Sequence, residues 1–230
     1  DKTRLKRQLT QNIAHELKTP VSSIRGYLET ILDNPDMDEA TRKEFMERCY
    51  AQSGRLSNLI SDITLLSKMD DASGGFTTED IDISVLLEGI RRDVELQLGA
   101  KKMKFLVLVA PGTMVHGNQM LLYSIFRNLT DNAIAYAGEG STVTVQCLKG
   151  DGSRWWLSFA DNGTGVPEEH LPHLFERFYR VDKGRSRKLG GTGLGLAIVK
   201  NAVLLHGGRI SVRLAKTGGL EFLFTLPCAA

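Results

Sequence analysis

Cysteine is scarce in this sequence: three in 230 residues, Cys49, Cys147 and Cys228, far apart and in no ligand-like spacing. They set up neither a disulfide framework nor a zinc site, and a reducing compartment is the default for such a chain. Six prolines against 23 glycines without a repeat exclude a collagen-like chain. Long apolar runs are missing too: Phe105-Leu106-Val107-Leu108-Val109-Ala110 falls far short of the ~20 residues that span a bilayer, and no signal peptide opens the chain. Nor does one charge dominate. Lys and Arg number 29 against 27 Asp and Glu, a net of +2, which argues against nucleic acid as a partner. What is present is 42% apolar residues, enough for a core and too many for wholesale disorder. The length suits one or two domains.

Periodicity divides the chain into unlike halves. Leu5, Leu9, Ile13, Leu17, Val21, Ile24, Leu28 and Ile31 recur in steps of three and four, the stripe of an amphipathic helix. Asp33-Asn34-Pro35-Asp36 breaks it with turn residues. A second stripe runs through Phe45, Cys49, Leu56, Ile60, Ile63 and Leu66 to about Asp70. Two such helices form an antiparallel hairpin with little of its own to bury, so a second copy completing a four-helix bundle is the expected partner. The alternative is that the hairpin packs on the rest of its own chain. Residues 1–72 are this unit, and 73–80, rich in Gly, Ser and Thr, read as a linker.

From residue 81 to 230 the pattern is mixed. A helix is predicted from Asp82 to about Leu98, a strand over Lys104–Ala110 and a helix over Gln119–Ala137. Hairpin strands follow at Ser141–Leu148 and Arg154–Ala160, then a helix from Gly193 to Leu205. A second hairpin closes the chain at Arg209–Leu214 and Leu220–Leu226. The sheet reads as antiparallel with helices on one face, an α+β domain. Lys101, Lys102 and Lys104 read as a solvated turn and strand edge.

His15 sits on the wrong side of its helix to be core. At about 100° per residue, Ile13 and Leu17 fall roughly 160° and 200° from it, so the imidazole faces solvent. A solvated histidine is ordinarily inert. Here Glu16 is adjacent, Thr19 shares its face, and Pro20 removes the N–H that would bond the Glu16 carbonyl, which predicts a kink. A carboxylate on one ring nitrogen would fix the tautomer and leave the other nucleophilic.

Two glycine clusters carry a second chemistry. Asp161-Asn162-Gly163-Thr164-Gly165 follows a strand, and Gly190-Gly191-Thr192-Gly193-Leu194-Gly195-Leu196 opens a helix. Neither is a Walker loop, nor a dinucleotide fingerprint. Backbone N–H groups at a helix start, unobstructed by Cβ atoms, still form an anion site. Asn128 and Asn132, spaced i and i+4, share a face and suit Mg²⁺ as oxygen ligands; the plainer reading is an exposed or capping pair. Between the clusters, Arg177, Arg180, Lys183, Arg185, Arg187 and Lys188 form either a cationic lid or a solvated basic loop.

Taken together, these segments resemble the five signature boxes of sensor histidine kinases. His15-Glu16-Leu17-Lys18-Thr19-Pro20 resembles the H box and Asn128-Leu129-Thr130-Asp131-Asn132-Ala133 the N box. Asp161-Asn162-Gly163-Thr164-Gly165 looks like the first G box, Phe175-Glu176-Arg177-Phe178 the F box, and Gly191-Thr192-Gly193-Leu194-Gly195-Leu196 the second G box. Order and spacing match across essentially the whole chain. The resemblance implies a dimerisation and phosphotransfer hairpin followed by a Bergerat-type ATP-binding sandwich. The activity it implies is that of an ATP-dependent protein-histidine kinase of a two-component system.

It also implies roles. His15 is the phosphoacceptor, Glu16 its hydrogen-bonding general base, and Thr19 the residue that orients water if the chain also dephosphorylates its partner. Asn132, with Asn128 nearby, holds Mg²⁺. Asp161 accepts from the adenine amino group, and Tyr136 packs near the purine. Gly163 and Gly165 admit the base, while the segment Gly191, Thr192, Gly193, Leu194 and Gly195 meets the phosphates. Arg177, Arg180 and Lys183 are phosphate contacts of the lid. The implied partner is an aspartate on a response-regulator receiver domain. One departure stands out: Ala135 occupies a position where the family often has lysine, a contact that Lys183, Arg185 or Lys188 would have to supply. The chain also opens at Asp1 within a helix, so sensor and transmembrane segments are expected upstream. This part is then cytoplasmic and the full-length protein anchored in the cell (inner) membrane. The competing function is an ATPase or ATP-gated clamp of the same nucleotide fold, which has no use for His15-Glu16-Leu17-Lys18-Thr19-Pro20 on a dimer helix.

Overall fold

A computed structural model of the chain describes residues 2–71, 75–182, 184 and 191–229, with side chains from Leu9 onward in the first helix. Helices α1 (Lys2–Asp33) and α2 (Glu39–Asp70) form the predicted hairpin. Their turn is fixed locally: Met37 N–H donates to the Asn34 carbonyl at 3.0 Å, and Asp38 caps α2 by accepting from the Thr41 N–H at 2.9 Å. Across the hairpin the Tyr27 and Phe45 rings pack with centroids 5.4 Å apart. Helix α1 runs through Pro20 without interruption. The Thr19 hydroxyl bonds back to the His15 carbonyl at 3.3 Å and Ser23 to the Thr19 carbonyl at 3.1 Å, one turn on either side of the proline. Val21, Leu28, Leu32, Met46 and Tyr50 are left exposed, an apolar face the single chain does not cover.

The second unit begins with strand β1 (Glu79–Asp82), helix α3 (Ile83–Asp93) and helix α4 (Glu95–Ala100). The single helix expected to reach Leu98 is divided at Val94, whose N–H already serves the end of α3 by bonding Ile90 O. Strands β2 (Lys104–Leu108) and β3 (Met114–Gly117), helix α5 (Gln119–Tyr136), strands β4 (Thr142–Gly150) and β5 (Arg154–Asp161), and a 3₁₀ turn (Glu168–His173) follow. Helix α6 (Gly195–Leu205) and strands β6 (Ile210–Leu214) and β7 (Leu220–Pro227) complete the described chain.

The five-stranded sheet has the order β2-β4-β5-β7-β6. Its β2–β4 pair is parallel, so the sheet is mixed and not the antiparallel one expected. The hairpins do read from sequence, but β2 joins β4 through the α5 crossover, a non-local pairing with no short turn to announce it. The small β1–β3 pair was also not foreseen.

One face of the sheet is covered. Ile83, Leu87 and Ile90 of α3, Leu122, Ile125 and Leu129 of α5, and Ile198, Val199 and Val203 of α6 pack with Val145, Leu157, Phe159 and Phe222. Each side chain so buried contributes about 1.5–3 kcal/mol. Leu59, Leu66 and Met69 of α2 belong to the same buried cluster, so the hairpin docks directly on the α/β unit.

Candidate phosphoacceptor and nucleotide site

His15 faces solvent as its helical phase requires, with a side chain 69% exposed. Its Nδ1 lies 4.0 Å from Glu16 Oε1, so the expected hydrogen bond is not made here. The Glu16 carboxylate turns instead to Arg180, accepting from Nη2 at 3.0 Å, and both side chains are largely buried.

Helix α5 presents Asn128, Asn132 and Tyr136 along one half-buried side, away from the Leu122–Ile125–Leu129 core face. Asn128 donates to the Ser124 carbonyl at 2.8 Å, which aims its Oδ1 at the start of α6. There Gly195 admits it: a Cβ on Gly195 would meet Asn128 Oδ1 at 2.8 Å. The start of α5 is pinned from the other end of α6. Asn118 caps it by accepting from Leu121 N–H at 3.0 Å, and the Asn118 N–H donates to His206 Nε2 at 3.1 Å. The site-bearing helices α5 and α6 are thereby held together at both ends.

Asp161 ends β5 and is buried. The Gly163 N–H donates to its Oδ1 at 2.9 Å. Burial pushes the carboxyl above its ordinary range, and the amides of Gly163 and Leu220 pull it only partly back. Glycines surround this acid because nothing larger fits. A Cβ on Gly163 would lie 2.2 Å from the Ala137 carbonyl oxygen, and one on Gly219 would lie 2.2 Å from Asp161 Oδ1. Gly165 and Gly219 also take positive φ, 65° and 75°. Gly219, on the β6–β7 turn, was not singled out from sequence; its only trace there was the Gly218-Gly219 pair between two strands.

Two cations of the lid segment have partners within the chain. Arg177, taken for a phosphate contact, donates to both oxygens of Asp70 at 2.7 and 2.9 Å. Arg180 reaches Gly191 O and Thr192 O, at 3.1 and 2.9 Å, besides Glu16. Its buried Nε has no hydrogen-bond partner. Lys183, with Arg185, Arg187 and Lys188, lies outside the described residues. Phe178 sits at φ 64° with its N–H on Gly193 O at 2.7 Å, anchoring the lid segment to the glycine loop. Thr192 donates its hydroxyl proton to Asp62 at 2.7 Å and accepts from the Leu194 N–H at 3.2 Å. Asp62 and Asp70 of α2 were missed from sequence, where two acids among helix surface residues mark nothing. Lys183, Arg185 and Lys188, read as substitutes for a cation at Ala135, lie outside the described residues. Lys101 and Lys102 form a turn as read, Lys102 and Lys104 are exposed, and the half-buried Lys101 donates its Nζ to the Ile134 carbonyl near the end of α5.

These features suit a nucleotide. They comprise a buried acid packed among glycines, a polar helix side against a glycine-rich helix start, and a buried arginine donor without a partner. Among the described residues no three His, Cys, Asp or Glu side chains converge on a metal position, so a cation here would rest on Asn128 and Asn132 together with phosphate oxygens.

The arrangement defines a class: a phosphoacceptor helical hairpin docked on an ATPase-type α/β domain. Residues 5–72 match the family described as His Kinase A (phospho-acceptor) domain. Residues 117–230 match that of the Histidine kinase-, DNA gyrase B-, and HSP90-like ATPase. The chain is 34% identical over 225 residues to the phosphate regulon sensor protein PhoR of Pseudomonas aeruginosa, covering 95% of this chain and 49% of that one. It therefore spans about half the length of this curated relative. The solved mycobacterial sensor histidine kinase MprB aligns at 30% identity and TM-score 0.57, over 66% of this chain and 98% of that one. The histidine kinase ThkA, solved in complex with the response regulator protein TrrA, shares the fold at TM-score 0.75 and 19% identity, over 99% of this chain and 64% of that one. The chain belongs to the sensor histidine kinase family and carries its catalytic core.

Proposed function

We propose that this chain is an autophosphorylating protein-histidine kinase that passes the phosphoryl group to an aspartate of a response regulator. One observation carries the reading. The helix bearing the exposed His15 is bonded, through Glu16 and Arg180, to the glycine loop of the nucleotide domain.

In the reaction, a ring nitrogen of His15 attacks the γ-phosphorus of ATP. The bond to the β–γ bridging oxygen breaks and ADP leaves. Glu16 stands nearest Nδ1, so Nε2 is the free nucleophile and Glu16 takes the Nδ1 proton once released from Arg180. Asp161 and Tyr136 hold the adenine; Gly163 and Gly165 let the backbone pack closely enough to place Asp161 against the base. The amides of Gly191, Thr192, Gly193, Leu194 and Gly195 receive the phosphates. The unpartnered Nε of Arg180 is a donor for an incoming phosphate, and Arg177 and Lys183 are further cations of the same segment. Asn132 and Asn128 would hold Mg²⁺, which would supply neutralisation of phosphate charge.

Phosphohistidine has a labile P–N bond, which suits onward transfer to a receiver aspartate; ThkA was solved with such a regulator. Thr19, one turn from His15, orients water in a second, phosphatase activity. The exposed Val21, Leu28, Leu32, Met46 and Tyr50 support a homodimer through the hairpin. The working division is 1–72 for phosphotransfer and dimerisation, 73–80 as linker, whose last two residues already open β1, and 81–230 for ATP. No described helix is long and apolar enough to cross a membrane; membrane anchoring of the whole protein, with this part on the cytoplasmic side, is part of the proposal.

The test is incubation with γ-labelled ATP and Mg²⁺. Acid-labile, alkali-stable label that disappears in His15→Gln is the expected result. ATP hydrolysis with no protein-bound label would favour the ATP-gated clamp instead.

A further inference from the structure

One polar link between hairpin and glycine loop has no part in the reaction above. Asp62 lies half-buried on α2, and its Oδ2 accepts the Thr192 hydroxyl proton at 2.7 Å. With that proton committed, the hydroxyl oxygen turns its lone pairs to the Leu194 N–H, 3.2 Å away. Leu194 immediately precedes α6, and its amide is one of those assigned above to the phosphates. The same loop is held on its other side by Arg180, through the Gly191 and Thr192 carbonyls. A single hairpin carboxylate thus reaches, through one hydroxyl, the amide that a phosphate would use.

The surroundings sharpen the conflict. Asp62 carries negative charge close to where phosphate charge would arrive, and Asp131 of α5, paired with Arg127 at 3.0 Å, adds more. Burial and Asp131 both raise the Asp62 carboxyl above its ordinary range, with the Thr192 bond opposing them. An anion arriving at Leu194 N–H competes with the Thr192 hydroxyl and meets like charge behind it.

We infer that Asp62 is a positioning residue that makes hairpin docking and nucleotide binding antagonistic. With the hairpin seated, Asp62 locks Thr192 onto the Leu194 amide. With nucleotide seated, that lock opens and α2 loosens. Reciprocity follows from thermodynamics: whatever factor docking takes from nucleotide affinity, nucleotide takes from docking. The inference rests on the nucleotide reading of the glycine loop, and its test distinguishes the two.

The experiment measures binding of a non-hydrolysable ATP analogue with Mg²⁺ to the full chain by calorimetry, comparing it with Asp62→Asn and Asp62→Ala. Asp62→Asn keeps the acceptor shape and removes the charge. The expected result is affinity tighter by about fivefold or more in both variants. The advantage of Asp62→Asn over the unsubstituted chain narrows on acidification, as Asp62 itself becomes neutral; Asp131 and Arg127 remain in both chains and cancel in the comparison. A merely structural role would give no such pH dependence. Hydrogen exchange in the unsubstituted chain supplies a measurement free of folding effects: amides of α2 around Asp62 should lose protection when the analogue is added. Equal or weaker affinity in Asp62→Asn, or unchanged α2 protection, overturns the inference alone. No binding by the unsubstituted chain overturns the nucleotide reading and the inference with it.

Discussion

The Arg180 guanidinium joins parts of the chain 164 residues apart: Nη2 donates to Glu16 Oε2 at 3.0 Å, and the same nitrogen serves the Gly191 and Thr192 carbonyls. The residue proposed as base is therefore tied up by a residue proposed to meet phosphate. The bond holds Glu16 by Oε2 and leaves Oε1 4.0 Å from His15 Nδ1, so the carboxylate must shift toward the ring, and its basicity rises as Arg180 lets go.

Breaking this clasp should loosen the domains before it unfolds either one. Arg180 is 4% exposed and Glu16 14%, so Arg180→Met leaves a mostly buried carboxylate without its cation. Docking should weaken by about 3 kcal/mol. The measurement is hydrogen exchange over residues 13–20 and 191–194, which should accelerate in both segments together. Unchanged exchange would mean that the clasp contributes nothing to docking.

Asp161 should trade stability for binding. Its carboxyl is raised by burial, so the folded chain holds that proton more tightly than the unfolded one does. Its contribution to stability is then fully present below the unfolded-state value, ~3.9, and is lost as pH rises through the raised folded value. At neutral pH the ionised acid opposes folding. Asp161→Asn should accordingly raise the urea midpoint at neutral pH while lowering ATP affinity by about tenfold to a hundredfold. A lowered midpoint would show that its amide bonds outweigh desolvation.

Glycine substitutions should separate by environment. Gly163→Ala and Gly219→Ala both drive a methyl to about 2.2 Å from fixed oxygens, and each should cost about 2 kcal/mol or more in urea melts. Gly26→Ala, in α1 with nothing within 4 Å of the new carbon, should stabilise by about 0.5–1 kcal/mol. Equal effects at the three positions would contradict the close packing described around Asp161.

His206 should make the nucleotide domain acid-sensitive. Its Nδ1 donates to the Ala202 carbonyl at 2.7 Å, its Nε2 accepts from Asn118, and burial holds its pKa down. A base with a lowered folded value stabilises the fold above its unfolded value, ~6.5, and loses that contribution as pH falls through the folded one. The urea midpoint of the intact chain should drop as pH falls below about 6.5 and on through the lowered folded value, and less so in His206→Gln. Parallel pH dependence in the two would assign the effect elsewhere.

Much of this was legible in the sequence because it is written locally. The hairpin follows from two stripes and Asn34-Pro35, the exposure of His15 from helical phase, and the glycine clusters from their flanking elements. What escaped is non-local. The parallel β2–β4 pair depends on a crossover, and β1 and β3 are four residues each. Asp62 and Asp70 acquire meaning only opposite Thr192 and Arg177, more than a hundred residues away. Gly219 reads as an ordinary turn glycine in the sequence, and only the Asp161 carboxylate packed against it gives it a role. The Glu16–Arg180 bond could not be read from either motif, because each was identified by the partner it would have during reaction and not by the one it has at rest.

The destination of the phosphoryl group is decisive. After incubation with Mg²⁺ and ATP, an alkaline quench and fragmentation mass spectrometry of the peptide spanning residues 8–18 should find one phosphoryl group, on the His15 ring. At ATP concentrations that do not saturate it, the label should fall in Asp161→Asn, which holds the base less tightly. Turnover of ATP with His15 unmodified, or phosphate on another side chain of that helix, would contradict the account.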